Sequence, residues 1–351
     1  MTKKKNQHFV PQFYLRRFTK TSKSPYIDLF NCTSQKIISK AAIKKQASIS
    51  NFYDNDNVVE DALSMIEEET AKCLVKIDKM NNLPKLVSER TTIIAFILFQ
   101  EARTKSNGIR VDSNINKVYK RAFEGNSEIG DFLNNHKIAV EKPASFALRV
   151  TAKQILLAID LKIKLINNET KQDFITSDNP VLKYNQFLEN RKVHGGITGV
   201  GVKGIQYFFP IDSKKCLILY DGETYSIGSR FSNRIIIKSE KEIESINILQ
   251  ILNCQDNIYF NEGTNIEYIK SIYGKSMHFE KAGVTKVDKH PQKDNFMGNG
   301  NLIHSYTTDL KINLNLSFIR ETKRAKKYKL GNKACHPRNK KFENTTVPNT
   351  W

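Results

Sequence analysis

The sequence predicts an α+β fold with a helix-rich body, a small and mostly antiparallel sheet, and a basic C-terminal extension. Two observations lead to this class. Short strand patterns come first, several helical patterns follow, and further strands precede a last helix, so strand and helix do not alternate regularly. The 351 residues also carry a formal net charge of +20, and most of that charge lies at the two ends of the chain.

The first elements follow from hydrophobic spacing. The stretches YIDLF (26–30) and KIIS (36–39) alternate and enclose the turn-rich NCTSQ, which predicts a hairpin. From Val58 to Met80 the apolar residues recur every three or four positions. This spacing predicts an amphipathic helix that carries the acidic run 67–69 on its solvent side.

The next helix is predicted to lie at the centre of the fold. Ser88 is a suitable N-cap, and the helical pattern continues to about Thr104. Its apolar stretch from 93 to 99 is too continuous for a surface helix, so we expect it to be buried.

The remaining elements are shorter helical and strand patterns. They are helices at about 111–123, 145–160 and 243–254, and consecutive strands in FFPID, CLILY, YSIG and RIIIK between 208 and 238. From about 276 the sequence becomes polar and rich in turn residues, and one apolar alternation at 310–319 follows. We therefore predict one α+β domain over 1–275 and a polar, basic and partly disordered tail over 276–351.

Composition limits the class of protein. With 39% apolar residues the chain can bury a substantial core, and no stretch approaches the roughly 18 consecutive apolar residues that cross a bilayer. We expect a cytoplasmic protein without a membrane partner. The five cysteines are scattered singly and are expected to be reduced and mostly buried, and the histidines lack the i, i+4 spacing of a helical metal pair, so no metal site is predicted.

The charge distribution suggests a polyanionic partner. Residues 1–24 carry +7, residues 320–341 carry +9, and the remaining 305 residues carry only +4. Basic ends on a nearly balanced body suit DNA or RNA binding. The predicted contact residues in the C-terminal run are Lys323, Arg324, Lys326, Lys327 and Lys329. The alternative is a solvated tail that serves solubility.

Phosphate-binding motifs are not supported. The segment YGKS (273–276) contains the GKS of a P-loop, but the glycine that should precede Gly274 by five residues is Ile269. The glycine-rich HGGITGVGVKG (194–204) lacks the flanking strand and helix of a dinucleotide fingerprint. We interpret it as a flexible loop.

Three separate stretches carry polar residues in apolar surroundings. QHFVPQFYLRRF (7–18) mixes His8 and two arginines with four aromatic residues, FQEAR (99–103) places Gln100 and Arg103 on one helical face, and ITSDNPV (175–181) ends a strand at Asp178. Each has a structural alternative: core packing, an ion pair that a buried arginine requires, and an Asx-type turn. Both interpretations stay open.

These stretches, together with NFYD (51–54), resemble the bacterial family of domain of unknown function 4238. Its members open with a His-x-x-Pro-x-x-Tyr-Leu-Arg pattern and later show an arginine-bearing helix and a Ser-Asp-Asn-Pro turn. The resemblance covers about residues 7–270, and Arg17 stands where an asparagine is expected. The corresponding residues are His8, Pro11, Tyr14, Arg16, Gln100, Arg103, Asp178, Asn179 and Pro180. The family name supplies no activity.

The resemblance favours a shared cleft, because its motifs are polar residues far apart in sequence. In such a cleft His8 could act as general acid or base, Arg103 could hold a phosphate, and Asp178 could orient either side chain. The expected substrate-binding residues are Tyr14, Arg16, Gln100 and Asn179. With the basic ends, this suggests a nuclease or a toxin-like effector in defence against phage or foreign DNA. A non-catalytic nucleic-acid-binding protein and an enzyme on a small phosphorylated substrate are the alternatives, and no cofactor can be assigned.

Overall fold

A computed structural model of the chain describes residues 6–21, 23–54, 56–193, 195–294, 298–330 and 336–339. The helices are α1 (Gln12–Leu15), α2 (Val58–Met80), α3 (Val87–Ala102), α4 (Lys105–Ala122), α5 (Ser127–Asn135), α6 (Pro143–Gln154), α7 (Gln186–Glu189), α8 (Glu240–Asn253), α9 (Ile266–Ser276) and α10 (Lys323–Lys326). The strands are β1 (Asn6–His8), β2 (Tyr26–Asn31), β3 (Lys36–Ala42), β4 (Ser48–Ser50), β5 (Lys162–Asn168), β6 (Thr176–Ser177), β7 (Leu182–Tyr184), β8 (Gln206–Pro210), β9 (Lys215–Tyr220), β10 (Tyr225–Ile227), β11 (Arg234–Ile237), β12 (Asn257–Phe260), β13 (Thr285–Asp294), β14 (Gly298–Thr307) and β15 (Ile319–Glu321).

The predicted α+β class is confirmed. Within the described residues the strands form five sheets instead of the one small sheet predicted. The largest has the order β11-β5-β9-β8-β7, and the next has the order β3-β2-β12-β6. Only β11 and β5 run parallel among the described strand pairs, so the prediction of mostly antiparallel pairing is confirmed.

The five-stranded sheet separates two hydrophobic cores. Successive side chains of a strand point to opposite faces, so Leu217 and Leu219 of β9 enter one core while Cys216 and Ile218 enter the other. The first core contains the opening segment, α2, α3 and α6, and the second contains α8, α9 and β12 residues. A sheet buried on both faces has few polar positions, which explains the nearly continuous apolar sequence of these strands.

Helix α3 lies in the first core, as its apolar sequence predicted. The helix begins one residue before Ser88, with Leu86 at the N-cap, and the Ser88 side chain makes no capping bond. It ends at Ala102, where Arg103 is the C-cap. Thr104 then caps α4 by accepting a hydrogen bond from the Asn107 amide at 3.2 Å. Helices α3 and α4 therefore nearly adjoin, whereas the sequence predicted a gap between about 104 and 111.

Other helix bounds differ modestly from the prediction. Helix α2 has the predicted bounds, and α6 begins at Pro143, since proline suits the first helical turn. The early start of α4 was missed because Gly108 lowers helical propensity. A Cβ on Gly108 would lie 3.5 Å from Pro143 Cγ, which is ordinary van der Waals contact, so α4 and α6 pack against each other here without requiring a glycine.

The prediction that the acidic run 67–69 of α2 lies on the solvent side is wrong for one of its three residues. Glu68 and Glu69 are exposed, but the side chain of Glu67 is only 24% exposed and faces the body. A carboxylate on the half-buried edge of the helix can pair with a buried cation, which hydrophobic spacing does not report.

The sequence predicted loop for the polar stretch after 276, and this prediction is wrong for residues 285–294 and 298–307. Strands β13 and β14 form a hairpin from Thr285 to Thr307. Its strands lack apolar alternation, and they are held by their own backbone ladder and by α4, where Lys117 Nζ donates to the Thr285 carbonyl at 2.7 Å. Backbone pairing of polar strands leaves no hydrophobic signal in the sequence.

Residues after the hairpin also pack on the body. Leu310, Leu314, Leu316 and Ile319 are buried in the second core, and β15 pairs with β10. The predicted domain boundary near 276 stays a prediction, and so does the predicted partial disorder of the tail, part of which lies outside the described residues.

Four of the five cysteines lie in the described part of the chain. Cys32, Cys73, Cys216 and Cys254 are buried and free, and Cys335 lies outside the described residues. None of the helices in the described part of the chain is both long and apolar enough to span a bilayer. As predicted, the described part of 194–204 has neither helix nor strand.

Candidate functional site

The opening segment is held to α3 through its backbone. Gln100 Nε2 donates to the Phe9 carbonyl at 2.9 Å. Arg103 donates from Nε to the same carbonyl at 3.2 Å and from Nη2 to the His8 carbonyl at 2.9 Å. Gln100 and Arg103 therefore contact main-chain oxygens of the first motif rather than its side chains.

Arg103 is the largest fully buried side chain in the described structure, and it has the carboxylate partner that burial requires. Its residue is 2% exposed, and Nη1 donates to Glu67 Oε1 at 2.7 Å. Tyr53 of the NFYD stretch donates its hydroxyl to the His8 carbonyl at 3.2 Å. The guanidinium is thus occupied by one carboxylate and two carbonyls, which fits the structural ion pair that the sequence left open.

His8 is half-buried beside this ion pair. Its Nε2 lies 3.2 Å from the Lys44 carbonyl, so the neutral ring can donate a proton there. Burial lowers the pKa of His8, the hydrogen bond to Lys44 and the charge of Glu67 raise it, and the charges of Arg103 and Arg16 lower it. The neutral ring near pH 7 is compatible with a general base, but the general acid or base role stays a prediction.

Asp178 stabilises a distant turn. Its carboxylate accepts hydrogen bonds from the amides of Gln255, Asp256 and Asn257 at 2.9, 2.7 and 3.0 Å. The sequence predicted backbone amides as partners, but as a local Asx-type turn rather than a contact across 77 residues or more. Burial raises the pKa of the Asp178 carboxyl, and the three amides oppose that rise.

Asn179 connects the ITSDNPV stretch to the start of α4 and to α8. Its Oδ1 accepts from Thr104 Oγ1 at 3.2 Å, and its Nδ2 donates to the Asn253 carbonyl at 2.9 Å. Gln250 Nε2 donates to the Asn179 carbonyl at 3.1 Å. Asn179 is 1% exposed, so each of its polar groups needs such a partner.

Tyr14 and Arg16 differ in their surroundings. The Tyr14 hydroxyl donates to the Pro210 carbonyl and accepts from Thr176 Oγ1, both at 2.7 Å, in the first core. Arg16 is half-buried, and its Nη2 donates to Gln12 Oε1 at 3.2 Å. The substrate-binding roles of both residues stay predictions.

The structure brings the three motif stretches together as one buried cluster. We call this the motif cluster: Tyr14, Gln100, Arg103, Asp178 and Asn179. Thr176 joins the opening segment to the third stretch, and Thr104 joins the second stretch to the third. All five residues of the cluster are at most 3% exposed. The cluster can position chain segments, and its one cation, Arg103, and its one carboxylate, Asp178, both have internal partners.

Sequence reasoning missed two charged groups near the cluster. Glu67 was assigned to the solvent side, although it lies one helical turn before Thr70, which is itself buried. Arg17 makes a bidentate pair with Asp78 at 2.9 and 3.0 Å and donates to the Ile211 carbonyl at 2.6 Å. An arginine at the end of an aromatic segment was a signal that a carboxylate would lie nearby.

The basic C-terminal run is partly described, and its side chains face solvent. Lys323, Arg324, Lys326, Lys327 and Lys329 are all exposed. Ala325 is buried beneath them, and the ring of Tyr328 lies 5.9 Å from that of Phe187. The N-terminal lysines 3–5 lie outside the described residues.

The described residues contain no group of three or more His, Cys, Asp or Glu side chains arranged to hold a metal ion. No curated protein and no solved structure matches the chain. The family model described as "Protein of unknown function (DUF4238)" matches residues 6–264, which is most of the chain. The chain therefore belongs to this family, and the matched region includes every residue of the motif cluster.

Proposed function

We propose that this family member is a cytoplasmic nucleic-acid-binding protein that contacts phosphates without reading sequence, and that its basic C-terminal run is a contact surface. The observation that carries the proposal is a set of exposed lysines without ion-pair partners. Lys323, Lys326, Lys327 and Lys329 make no ion pair with the described carboxylates, and only Arg324 has one, with Glu223. Unpaired cations on one short segment are available to phosphates.

Anchoring of the segment supports the proposal. Thr322 accepts a hydrogen bond from the Ala325 amide at 3.1 Å and caps α10, and its own amide donates to the Thr224 carbonyl at 2.9 Å. Lys203 Nζ lies 5.1 Å from the ring centroid of Tyr328. A segment fixed in this way loses less conformational entropy on binding than a free tail would.

The geometry of the motif cluster favours binding over cleavage. Hydrolysis would need Arg103 or Asp178 to reach a phosphate, but both are buried and bonded to protein groups. Reaching a substrate would mean breaking a buried ion pair, which costs several kcal/mol. The nuclease and defence roles, and an enzyme on a small phosphorylated substrate, stay predictions.

The test compares two sets of charge-neutralising changes. The first combines Lys323→Gln, Lys326→Gln and Lys327→Gln, and the matched control combines Lys79→Gln, Lys153→Gln and Lys241→Gln, which removes the same charge from exposed sites elsewhere. Binding to a 30-mer duplex DNA and its RNA counterpart is measured by fluorescence anisotropy between about 50 and 200 mM salt.

We expect the first set to weaken binding and to reduce the slope of log affinity against log salt by about 2 to 3, since each lost phosphate contact contributes about 0.9. The control set should change both quantities much less. Equal effects of the two sets, or no binding by the wild type at about 50 mM salt, would refute the proposal. Cleavage of either nucleic acid by the wild type with Mg²⁺ or Mn²⁺ present would restore the nuclease hypothesis.

A further inference from the structure

A cationic cleft lies beside the start of α10. It has a volume of about 690 Å³ and is bounded by the start of α3, by β5, by β10 and by the loop before β11. Its charged lining residues are Arg90, Lys162, Lys164 and Arg230, and it has no acidic lining residue. Thr322 also lines it, so the cleft opens next to the basic C-terminal run.

Lys164 is the unusual residue of this cleft. It is 6% exposed, and its Nζ donates to the Ser229 carbonyl at 2.6 Å. No described carboxylate pairs with it. An ammonium group has three donors, so this geometry leaves two of them without an acceptor among the described residues. Burying a cation in this way is unfavourable unless an anion or water completes its shell.

A second lysine, Lys162, lies on the same face of β5 as Lys164. Lys162 and Lys164 are two positions apart on β5, so both side chains project from one face of the strand. The next residue on that face, Ile166, is part of the second core, so the packing of this strand does not require charge there. Burial lowers the pKa of Lys164, and the charge of Lys162 lowers it further. Two neighbouring cations repel each other, and a bound anion would remove that repulsion.

Two glycines lie beside the lysine side chains. A Cβ on Gly222 would lie 2.6 Å from both Cδ and Cε of Lys162, so the stem of Lys162 crosses the backbone at this glycine. A Cβ on Gly228, which has φ of +55°, would lie 3.9 Å from Lys164 Nζ. Lys162 is exposed, so the fixed cation of the cleft is Lys164, which is buried and hydrogen-bonded to the Ser229 carbonyl.

The rim offers apolar and aromatic surface. Val87 is 78% exposed and Ile159 49% exposed on the cleft wall. Phe231 does not line the cleft itself, but it follows the lining residue Arg230 in the chain, it is 86% exposed, and the guanidinium carbon of Arg230 lies 4.6 Å from its ring centroid. An exposed aromatic ring beside an arginine is a surface on which a nucleobase can stack.

We propose that this cleft binds the terminal phosphate of a nucleotide, with Lys162 and Lys164 holding the phosphoryl oxygens and the Phe231 side of the rim contacting the base. The nucleotide is either free or the 5′ end of a nucleic-acid strand, and this second form rests on the proposed function. A terminal phosphate carries close to two negative charges near neutral pH, whereas an internal phosphodiester carries one, so paired lysines favour an end over the middle of a strand.

The first experiment uses small probes on the full chain. Calorimetry measures binding of adenosine 5′-monophosphate, adenosine and inorganic phosphate. We expect the monophosphate to bind at least tenfold more tightly than adenosine or inorganic phosphate, because only it offers both groups. Equal binding of adenosine and its monophosphate, or no binding of the monophosphate at millimolar concentration, would overturn the proposal.

Three variants locate the site. Lys164→Met keeps the apolar stem, and it should reduce monophosphate binding at least tenfold while raising the melting temperature, because an unpaired buried cation is removed. Lys162→Met removes the second ammonium group and keeps the apolar stem, and it should also weaken binding. Lys270→Met, an equal loss of charge on α9, should leave binding unchanged. Wild-type binding by both Lys164→Met and Lys162→Met would overturn the proposal.

The second experiment separates the two forms of the ligand. Single-stranded 12-mer DNA with a 5′-phosphate is compared with the same strand bearing a 5′-hydroxyl. A preference for the phosphorylated end that Lys164→Met abolishes supports strand-end binding, whereas monophosphate binding without that preference assigns the cleft to free nucleotides. If both strands bind equally and the monophosphate does not bind, the cleft proposal fails and nucleic-acid binding through the basic run stands. If neither strand binds at about 50 mM salt, the proposed function fails and the monophosphate result alone decides the cleft.

Discussion

Replacing Arg103 by alanine should lower the free energy of unfolding by about 3 kcal/mol while leaving nucleic-acid binding intact. The change removes the ion pair to Glu67 and the hydrogen bonds to the carbonyls of His8 and Phe9. Each carbonyl keeps one other donor, from Tyr53 and Gln100 respectively. The loss therefore falls mainly on the ion pair and on the packing of the arginine stem.

The magnitude follows from burial. Removing one partner of a buried ion pair costs about 3 to 5 kcal/mol. The lower end applies here because the Glu67 side chain is 24% exposed and can regain water after the change. At about 2 °C per kcal/mol for a large domain, the melting temperature should fall by about 6 °C.

Urea and thermal unfolding followed by far-UV circular dichroism measure this loss. Fluorescence is unsuitable, because the single tryptophan of the chain is Trp351, outside the described residues. Arg121→Ala is the matched control, since it breaks an ion pair between exposed side chains of Arg121 and Glu124 and should cost under about 0.5 kcal/mol. Arg103→Lys should fall between the two, because an ammonium cannot reproduce the geometry of a guanidinium.

The opposite pattern would refute the interpretation that Arg103 stabilises the fold. If Arg103→Ala melts like the wild type, its internal bonds contribute little, and the motif cluster is not stabilising. If the wild type also cleaves nucleic acid and Arg103→Ala does not, then Arg103 acts on the substrate and the catalytic prediction is favoured.

Three further changes probe the neighbouring structure. Asp178→Asn should lower the urea-derived free energy of unfolding by about 1 to 3 kcal/mol, because an NH₂ group would face an amide donor. In the same assay Gly204→Ala should destabilise more than Gly263→Ala: Gly204 has φ of +79° and a Cβ there would lie 2.7 Å from Asn185 Oδ1, whereas one on Gly263 would meet nothing within 4 Å. Because burial lowers the pKa of His8, protonation favours the unfolded chain, so melting curves should show the wild type losing stability relative to His8→Gln as the pH falls through 6.5.

The family motifs were readable from sequence, but their roles were not. Polar residues at 100, 103, 178 and 179 stood out because they interrupt apolar segments. Their partners are main-chain carbonyls and amides, such as those of Phe9 and Asn257. Every residue has these groups, so no sequence pattern indicates which of them a side chain will reach.

Hydrophobic periodicity by itself determined the α+β class, the bounds of α2, the burial of α3 and the strands between 206 and 237, because burial against a core imposes a period of 3.6 or 2 on the chain. The charge count likewise identified the basic ends. Only the tertiary structure decided that Glu67 faces Arg103, that polar strands after 276 pair in a hairpin, and that Lys162 and Lys164 meet Arg90 and Arg230 in one cleft. These features join residues that are far apart along the chain, and such pairings depend on the packing of whole elements rather than on local spacing.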